Sequence, residues 1–262
     1  EVSSIGKKHH VPLIMDNTAA PYISKPIQHG ANVIVYSTTK YIGGHGISIG
    51  GLLIDGGNFD WEAAGDRFKM LNSPDPSYHG AVWTQAAKPL GPIAYILRAR
   101  VILLRDLGAA MSPFNAFTFI QGLETLPLRM QRHCQNAEKV ANFLENHSKV
   151  EKVIYPSLMK DQYLERAKKY LNEGFGALLG FELKDGVEAG KNFINNLKLF
   201  YHVANIGDAR SLAIHPSSTT HSQLSEKEQL SSGVTPGYVR LSIGIEHIDD
   251  ILEDLEQALS SS

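Results

Sequence analysis

Two short apolar runs near the start of the chain, residues 11–15 and 31–36, enclose a helix-like stretch at residues 24–29. The second run is rich in β-branched residues, and a polar segment follows each run. Strand, short helix and strand at this spacing predict a right-handed βαβ unit of a parallel sheet. Residues 50–54, also apolar, are predicted to be a neighbouring strand. This arrangement predicts an α/β fold with a mostly parallel sheet for the first part of the chain.

The later part of the chain has a different pattern, in which long helices precede a mixture of helices and short strands. Helical periodicity covers residues 94–110 and then about Leu123 to Ser148. The strand candidates that follow are residues 150–155, 177–183, 200–203 and 238–243. The helix candidates among them are residues 164–172, 189–197 and 249–259.

This change of pattern predicts two folded parts joined by one long helix. A chain of 262 residues is long enough for one large or two medium domains. We predict one domain over residues 1–122, a connecting helix over residues 123–148 and a smaller C-terminal α/β domain over residues 149–262.

Composition argues against several classes of function. The formal net charge is -2, so the chain lacks the basic surplus of a nucleic-acid-binding domain. The single cysteine, Cys134, cannot form an intramolecular disulfide and fits a reducing, cytoplasmic setting. With one cysteine and no HExxH motif, no metal site is predicted. No apolar stretch approaches the ~18 residues that a membrane span needs, so no membrane segment is predicted.

A lysine among hydroxyl groups follows the second predicted strand. Lys40 comes directly after Ser37, Thr38 and Thr39, and Asp16 follows the first strand. Because ligands gather at the carboxyl ends of parallel strands, Asp16 and Lys40 are expected to face one cavity. Pyridoxal phosphate suits this set, since its aldehyde reacts with a lysine, its ring nitrogen pairs with a carboxylate and its phosphate binds hydroxyl and backbone donors.

Other interpretations remain open on these residues alone. A lysine near glycines is typical of a solvated loop, and Asp16 is equally typical of a turn or a helix N-cap. A P-loop is the alternative phosphate site, but its lysine follows the glycines and precedes Ser or Thr. Lys40 precedes the glycines, so the P-loop motif fails.

Longer motifs make the chain recognisable. DNTAAPYISKPIQHGA at residues 16–31 and YSTTKYIGGHG at residues 36–46 resemble the cofactor-binding segment of the Cys/Met-metabolism family of pyridoxal-phosphate enzymes. Residues 76–86, 98–133 and 202–224 resemble its sulfhydrylase branch, O-acetylhomoserine aminocarboxypropyltransferase, more than the cystathionine branches. The resemblance implies a fold type I transferase, similar to aspartate aminotransferase, in which residues 1–122 are the C-terminal portion of the cofactor-binding large domain.

The resemblance also implies roles for residues near the cofactor. It makes Lys40 the lysine that carries pyridoxal phosphate covalently and acts as the catalytic base. Asp16 becomes the partner of the ring nitrogen, and Thr18 a residue beside the ring. Ser37 and Thr39 become donors to the phosphate.

Three further residues are implied to bind substrate. Arg240, within the family motif at residues 238–246, is implied to clamp the substrate α-carboxylate, which a planar guanidinium grips in two parallel bonds. Asn205 falls in a pocket-lining segment, where the cystathionine branches have serine, and Thr220 is implied to face the substrate. Without the resemblance, Arg240 is more typical of a surface ion pair than of a substrate clamp, and Asn205 is equally typical of a turn residue.

The implied reaction converts O-acetyl-L-homoserine and sulfide, or a small thiol, into L-homocysteine, or methionine, and acetate, as a step of methionine biosynthesis. The resemblance implies a homotetramer with active sites shared between subunits. The family's chains begin upstream of Glu1, so their N-terminal segment is expected as a separate piece from this chain. A cystathionine γ-synthase, a γ-lyase of the same family and a non-catalytic remnant are the alternatives.

Overall fold

The computed structural model describes residues 1–261, and its backbone forms two compact units. The first unit comprises Glu1–Thr18, Lys25–Thr38 and Ile49–Phe117. The second unit comprises Ala19–Ser24, Thr39–Ser48 and the chain from Thr118 onward. The domain boundaries predicted at residues 122 and 148 stay a prediction.

The first unit contains a small sheet and several short helices. Its strands are β1 (Ile14–Asp16), β2 (Val33–Ser37) and β3 (Gly51–Asp55). Its complete helices are α1 (Val2–Lys8), α2 (Lys69–Asn72), α3 (Trp83–Ala87) and α4 (Ala94–Arg98). A π-helical stretch, Ala99–Asp106, continues directly from α4, so the helical pattern predicted for residues 94–110 is only partly α-helical.

The three strands lie in the order β1-β2-β3. The predicted parallel pairing of β1 with β2 is confirmed, with Ile14 opposite Val33, and the connection contains a short 3-10 helix, Pro26–His29. β3 pairs with β2 in the antiparallel sense, so this sheet is mixed rather than mostly parallel. No helix lies between β2 and β3 in the described chain, and parallel strands need such a crossover.

Aromatic side chains form the core of the first unit. The Trp61 ring stacks on Tyr95 with a centroid separation of 5.2 Å, and Phe59 meets Trp61 edge-on at 4.6 Å. The segment between the sheet and α4, which lacks a clear sequence pattern, packs its short helices on this cluster. The buried members of the cluster are Val33, Phe59, Trp61, Leu71, Trp83, Ala87 and Ala94.

The second unit contains a larger sheet with helices of its own. One long helix, α5 (Pro113–Glu145), begins in the first unit and continues into the second. The other helices are α6 (Asp161–Tyr170), α7 (Gly186–Asn196), α8 (Glu226–Ser231) and α9 (Ile248–Ser261). The strands are β4 (Val150–Ile154), β5 (Leu178–Leu183), β6 (Tyr201–His202), β7 (Leu212–Ile214) and β8 (Tyr238–Ser242).

The strands of the second unit lie in the order β4-β5-β8-β7-β6. All neighbours are antiparallel except β6 and β7. β8 is the central strand, and its Arg240 lies opposite Gly180 on one side and Ile214 on the other. Because a central strand is hydrogen-bonded along both edges, the backbone of Arg240 is held firmly in place.

The core of the second unit lies between this sheet and its helices. The amphipathic helices α7 and α9 contact each other, and each buries its apolar stripe. The largest fully buried side chains are Ile23, Tyr41, Met130, Leu144, Tyr155, Phe181, Phe193, Leu241, Ile243, Ile251, Leu255 and Leu259. None of the helices in residues 1–261 is long and apolar enough to cross a membrane.

Candidate active site

Polar residues join the ends of β1 and β2 in the first unit. The Thr18 amide donates a hydrogen bond to Asp16 Oδ1 at 2.9 Å. The Thr18 hydroxyl oxygen accepts a hydrogen bond from the Ser37 amide at 2.8 Å. Thr18 therefore links the residues that end the two parallel strands, and three of the residues implied to bind the cofactor lie together here.

The same hydrogen bonds control the charge of Asp16. Donation from Thr18 holds the pKa of the Asp16 carboxyl below its usual value of 3.8, and burial opposes this effect only weakly. Asp16 is therefore a carboxylate at neutral pH, although its side chain is exposed. A carboxylate is the form that pairs with a protonated ring nitrogen.

Thr38 adds a buried hydroxyl to the first unit. Its side chain is 4% exposed, and its amide donates to the Gly50 carbonyl at 3.0 Å. Its Oγ1 has no hydrogen-bond partner among residues 1–261. An unpaired buried hydroxyl costs roughly 1–3 kcal/mol, so Thr38 Oγ1 is a donor suited to a polar ligand. The predicted site includes this hydroxyl, but the family resemblance gives Thr38 no individual role.

In the second unit, Asn205 connects the two basic residues of the predicted site. Lys40 Nζ donates a hydrogen bond to Asn205 Oδ1. The main-chain carbonyl of Asn205 accepts from Arg240 Nη2 at 3.4 Å. The structure thus brings together Lys40, Asn205 and Arg240, which are far apart in sequence.

The Arg240 guanidinium forms no ion pair with any carboxylate among residues 1–261. The residue is half-buried on the central strand β8. The interpretation of Arg240 as an ordinary surface ion pair therefore finds no acidic partner in the described part of the chain. A half-buried guanidinium without a carboxylate partner is suited to bind one from a ligand.

The chain turns sharply after Lys40. The Gly44 amide donates to the Lys40 carbonyl at 2.7 Å, and the Gly44 carbonyl accepts from the Ala209 amide at 2.7 Å. The second contact ties this turn to the segment that carries Asn205. Arg129 of α5 also donates to carbonyls of the turn, a contact that the sequence analysis missed.

Two further residues, Thr39 and Thr220, belong to the predicted site. Thr220 is exposed, and its hydroxyl is hydrogen-bonded to Nδ1 of the neighbouring His221 at 2.9 Å. Thr39 is half-buried and directly precedes Lys40. The roles implied for both residues stay predictions. In the described part of the chain, no cluster of three or more His, Cys, Asp or Glu residues is arranged to hold a metal ion.

Comparison with known proteins decides the family. The model described as "Cys/Met metabolism PLP-dependent enzyme" matches residues 1–260. The chain belongs to this family. The predicted family is thereby confirmed, as is the family's cofactor, pyridoxal phosphate.

Individual relatives are similar over almost the whole chain. An O-acetyl-L-homoserine sulfhydrylase from Leptospira meyeri is 57% identical over 99% of this chain. A homocysteine synthase from Schizosaccharomyces pombe is 46% identical over 98% of it. The chain spans 60% of the length of each of these relatives.

A solved structure supports the fold type I assignment. A Campylobacter jejuni protein assigned as an O-acetylhomoserine (thiol)-lyase has a TM-score of 0.90 and 44% sequence identity to this chain. The match covers 99% of this chain and 61% of that one. The Campylobacter structure contains pyridoxyl-lysine monophosphate, in which a lysine is joined to the cofactor.

The residues of each unit fit pyridoxal phosphate by their chemistry. The first unit offers the ionised Asp16 and the unpaired Thr38 hydroxyl, which match a ring nitrogen and a phosphate. The second unit offers an amine on Lys40, whose contact at Nζ is a neutral amide. An amine is the group with which the aldehyde of pyridoxal phosphate reacts.

Proposed function

We propose that the protein containing this chain catalyses γ-replacement on O-acetyl-L-homoserine. In this reaction sulfide, or a small thiol, displaces acetate from the γ carbon and yields L-homocysteine, or methionine. The observation that carries the proposal is the pair of hydrogen bonds through which Asn205 links the Lys40 amine to the Arg240 guanidinium. This guanidinium has no ion-pair partner among residues 1–261. The sulfhydrylase and homocysteine synthase relatives support this substrate class, and we propose that the reaction is a step of methionine biosynthesis.

Arg240 is proposed to bind the α-carboxylate of the amino-acid substrate. Two parallel N–H···O bonds from the planar guanidinium fix the carboxylate plane as well as its position. The orientation of the α carbon and its hydrogen then follows from the orientation of the carboxylate. The rigid backbone of β8 supports this role, since a binding group on a central strand moves little.

Lys40 is proposed to move protons on the substrate. Pyridoxal phosphate, when bound, supplies an electron sink that makes the hydrogens of the substrate's α and β carbons acidic. The neutral amine of Lys40 takes one proton at a time, so the α proton would be held on the bound cofactor while Lys40 takes the β proton. Its hydrogen bond to Asn205 Oδ1 leaves the nitrogen lone pair free to do so. Acetate leaves with the electron pair of its C–O bond, and the sulfur of sulfide forms the new bond to the γ carbon. Lys40 then returns the protons.

The residues of the first unit are proposed to hold the cofactor. Asp16 pairs with the ring nitrogen, and Thr18 lies beside the ring. Ser37 and Thr39 donate to the phosphate. The ionised state of Asp16 supports its role, because only a carboxylate stabilises a protonated ring nitrogen by charge.

The reaction itself provides the direct test. The holoenzyme is given O-acetylhomoserine with sulfide, with cysteine, and with no sulfur compound. We expect homocysteine and acetate in equal amounts from the first mixture and little product from the other two. Efficient cystathionine formation would identify a cystathionine γ-synthase, and ketobutyrate without a thiol would identify a γ-lyase. No turnover in any mixture would identify a non-catalytic protein.

Arg240→Lys tests the carboxylate clamp. Lysine keeps the positive charge but loses the two-pronged grip, so the α-carbon hydrogen is held less well for removal. We expect kcat/KM to fall roughly ten- to a hundred-fold, the effect of losing one charge-assisted hydrogen bond. The loss should be similar for every amino-acid substrate, as measured by steady-state kinetics with O-acetylhomoserine and a second ester.

Arg210→Lys is a matched control. Arg210 lies in the same unit, and its guanidinium is already paired with Asp208 at 3.1 Å. Its replacement should leave kcat/KM close to that of the wild type. If Arg240→Lys behaved like this control, the proposed clamp would be wrong.

The assembly is proposed from the family resemblance. We infer a cytoplasmic homotetramer whose active sites are shared between subunits, with the amino-acid substrate and sulfide or a thiol as its small-molecule partners. Sedimentation equilibrium of the holoenzyme tests the oligomeric state, and a monomeric active species would contradict it.

A further inference from the structure

Arg129 is a buried cation on α5 whose guanidinium hydrogen bonds are all to uncharged groups. The residue is 6% exposed, and none of the ion pairs formed within residues 1–261 involves it. Burial lowers the pKa of its guanidinium. A buried charge without a carboxylate destabilises a fold unless other groups solvate it. The groups that solvate Arg129 therefore show what the residue does.

Its main partners are the two carbonyls directly after Lys40. Arg129 Nη1 donates to the Tyr41 carbonyl at 2.7 Å, and Nη2 donates to the Ile42 carbonyl at 3.2 Å. The fork of one rigid guanidinium thus fixes two successive peptide planes. Tyr41 and Ile42 are the two residues directly after Lys40, the lysine that is proposed to move protons on the substrate.

The guanidinium is also anchored on its own helix. Nη2 also donates to the Gly122 carbonyl at 2.8 Å, and Nε donates to the Thr125 hydroxyl at 3.2 Å. The direction of the fork is therefore set by α5 rather than by the turn. This arrangement lets a helix determine the shape of the turn.

Two glycines allow this close approach. A Cβ on Gly44, whose φ is +73°, would lie 2.5 Å from Arg129 Nη1. A Cβ on Gly122 would lie 2.2 Å from the Ile42 carbonyl oxygen. Glycine at both positions leaves space for the guanidinium and for contact between helix and turn. The Gly44 amide then closes the turn on the Lys40 carbonyl.

We propose that Arg129 is a positioning residue for Lys40. By fixing the peptides after Lys40, it sets the direction in which the lysine side chain leaves the backbone, and so where its amine lies. This inference rests on the proposed function of Lys40. Catalysis is sensitive to such placement, since an error of about 1 Å costs on the order of a hundredfold in rate.

Arg129→Lys in the complete protein tests the proposal, because lysine keeps the charge but cannot hold two carbonyls in a fixed fork. We expect kcat to fall at least about tenfold while KM stays within about twofold, because placement of the amine acts on the chemical step. In protein stripped of cofactor, amide hydrogen exchange at Gly44 should become about tenfold faster. Exchange in the central strand β8 should not change.

Two further variants complete the design. Arg132→Lys changes an exposed arginine of the same helix and should match the wild type in both measurements. Gly44→Ala disturbs the same contact from the side of the turn, because its Cβ would meet the Arg129 guanidinium, and should reproduce the fall in kcat and the faster exchange at neighbouring amides. It also keeps the proposal testable if Arg129→Lys folds poorly.

The outcomes separate this inference from the proposed function. A wild-type protein that fails to make homocysteine contradicts the proposed function, whatever the exchange data show. If the wild type is active and Arg129→Lys matches it in both kcat and Gly44 amide exchange, the positioning role is overturned. Faster exchange throughout α5 and β8, with kcat falling only as the folded fraction falls, would make Arg129 a structural residue and would also overturn it.

Discussion

Replacing Lys40 by alanine is expected to remove both the covalent attachment of the cofactor and almost all turnover. A positioned general base alone contributes roughly 10²- to 10⁴-fold to a rate, and alanine offers no group that could take its place. Asn205 also loses the partner of its Oδ1 atom, so a water molecule would bind there without supplying a base of comparable strength. Borohydride reduction followed by intact-protein mass measurement should show a fixed pyridoxyl group in the wild type and none in Lys40→Ala.

Lys25→Ala is the control for this experiment, because Lys25 is an exposed lysine of the same part of the sequence. The control should retain both the reducible cofactor link and activity. A pyridoxyl group still fixed to Lys40→Ala after reduction would mean that another lysine carries the cofactor. A wild-type protein that never binds pyridoxal phosphate would refute the assignment more broadly.

The first part of the fold was well predicted where a local pattern determined it. β-branched residues at 33–35 predicted β2, and the short spacing from β1 predicted the parallel pairing that the structure shows. The direction of β3 was not predictable from its own residues. A strand of five residues carries no signal for parallel or antiparallel pairing, and the connection from β2, without a helix, decided it.

The boundaries of α5 show a different kind of error. The sequence pattern predicts helices over residues 94–110 and from about Leu123, with Pro113 between them, but Pro113 is the first residue of α5. Proline suits the first turn of a helix, where its missing N–H would have no partner anyway. The same residue therefore signals both a helix end and a helix start. β7 was missed because its three apolar residues are too few to show a period.

The site was predicted by motif rather than by geometry. The sequence indicated Lys40, Asn205 and Arg240 separately. The hydrogen bond between Lys40 and Asn205 joins residues 165 positions apart, so only the folded structure reveals it. Arg129 could have been found earlier. It lies in the buried stripe of α5 between Leu126 and Met130, and a charged residue in an apolar stripe requires an explanation.

Asp16→Asn is expected to produce the second large effect. Asparagine keeps the shape of the side chain, and its oxygen can still accept the Thr18 amide hydrogen bond, so the local turn should persist. The negative charge proposed to hold the cofactor's ring nitrogen is lost. We expect kcat to fall roughly 10²- to 10³-fold, the scale for losing one preorganised electrostatic interaction in the transition state. KM should change little, because the charge acts on the chemical step rather than on substrate binding.

The pH dependence of this loss provides the sharpest check. Because the Thr18 hydrogen bonds place the pKa of Asp16 below 3.8, the wild-type carboxylate is ionised throughout the neutral range and does not titrate there. The ratio of wild-type to Asp16→Asn kcat should therefore be constant across that range, as measured by steady-state assays at several pH values.

Asp60→Asn is the matched control, since the exposed Asp60 carboxylate also accepts amide hydrogen bonds, from Glu62 at 3.1 Å and Ala63 at 2.9 Å. Its kcat should equal that of the wild type. If Asp16→Asn left kcat intact and changed only KM, the carboxylate would not act on the ring nitrogen, and its contact with Thr18 would be a structural feature of the strand end.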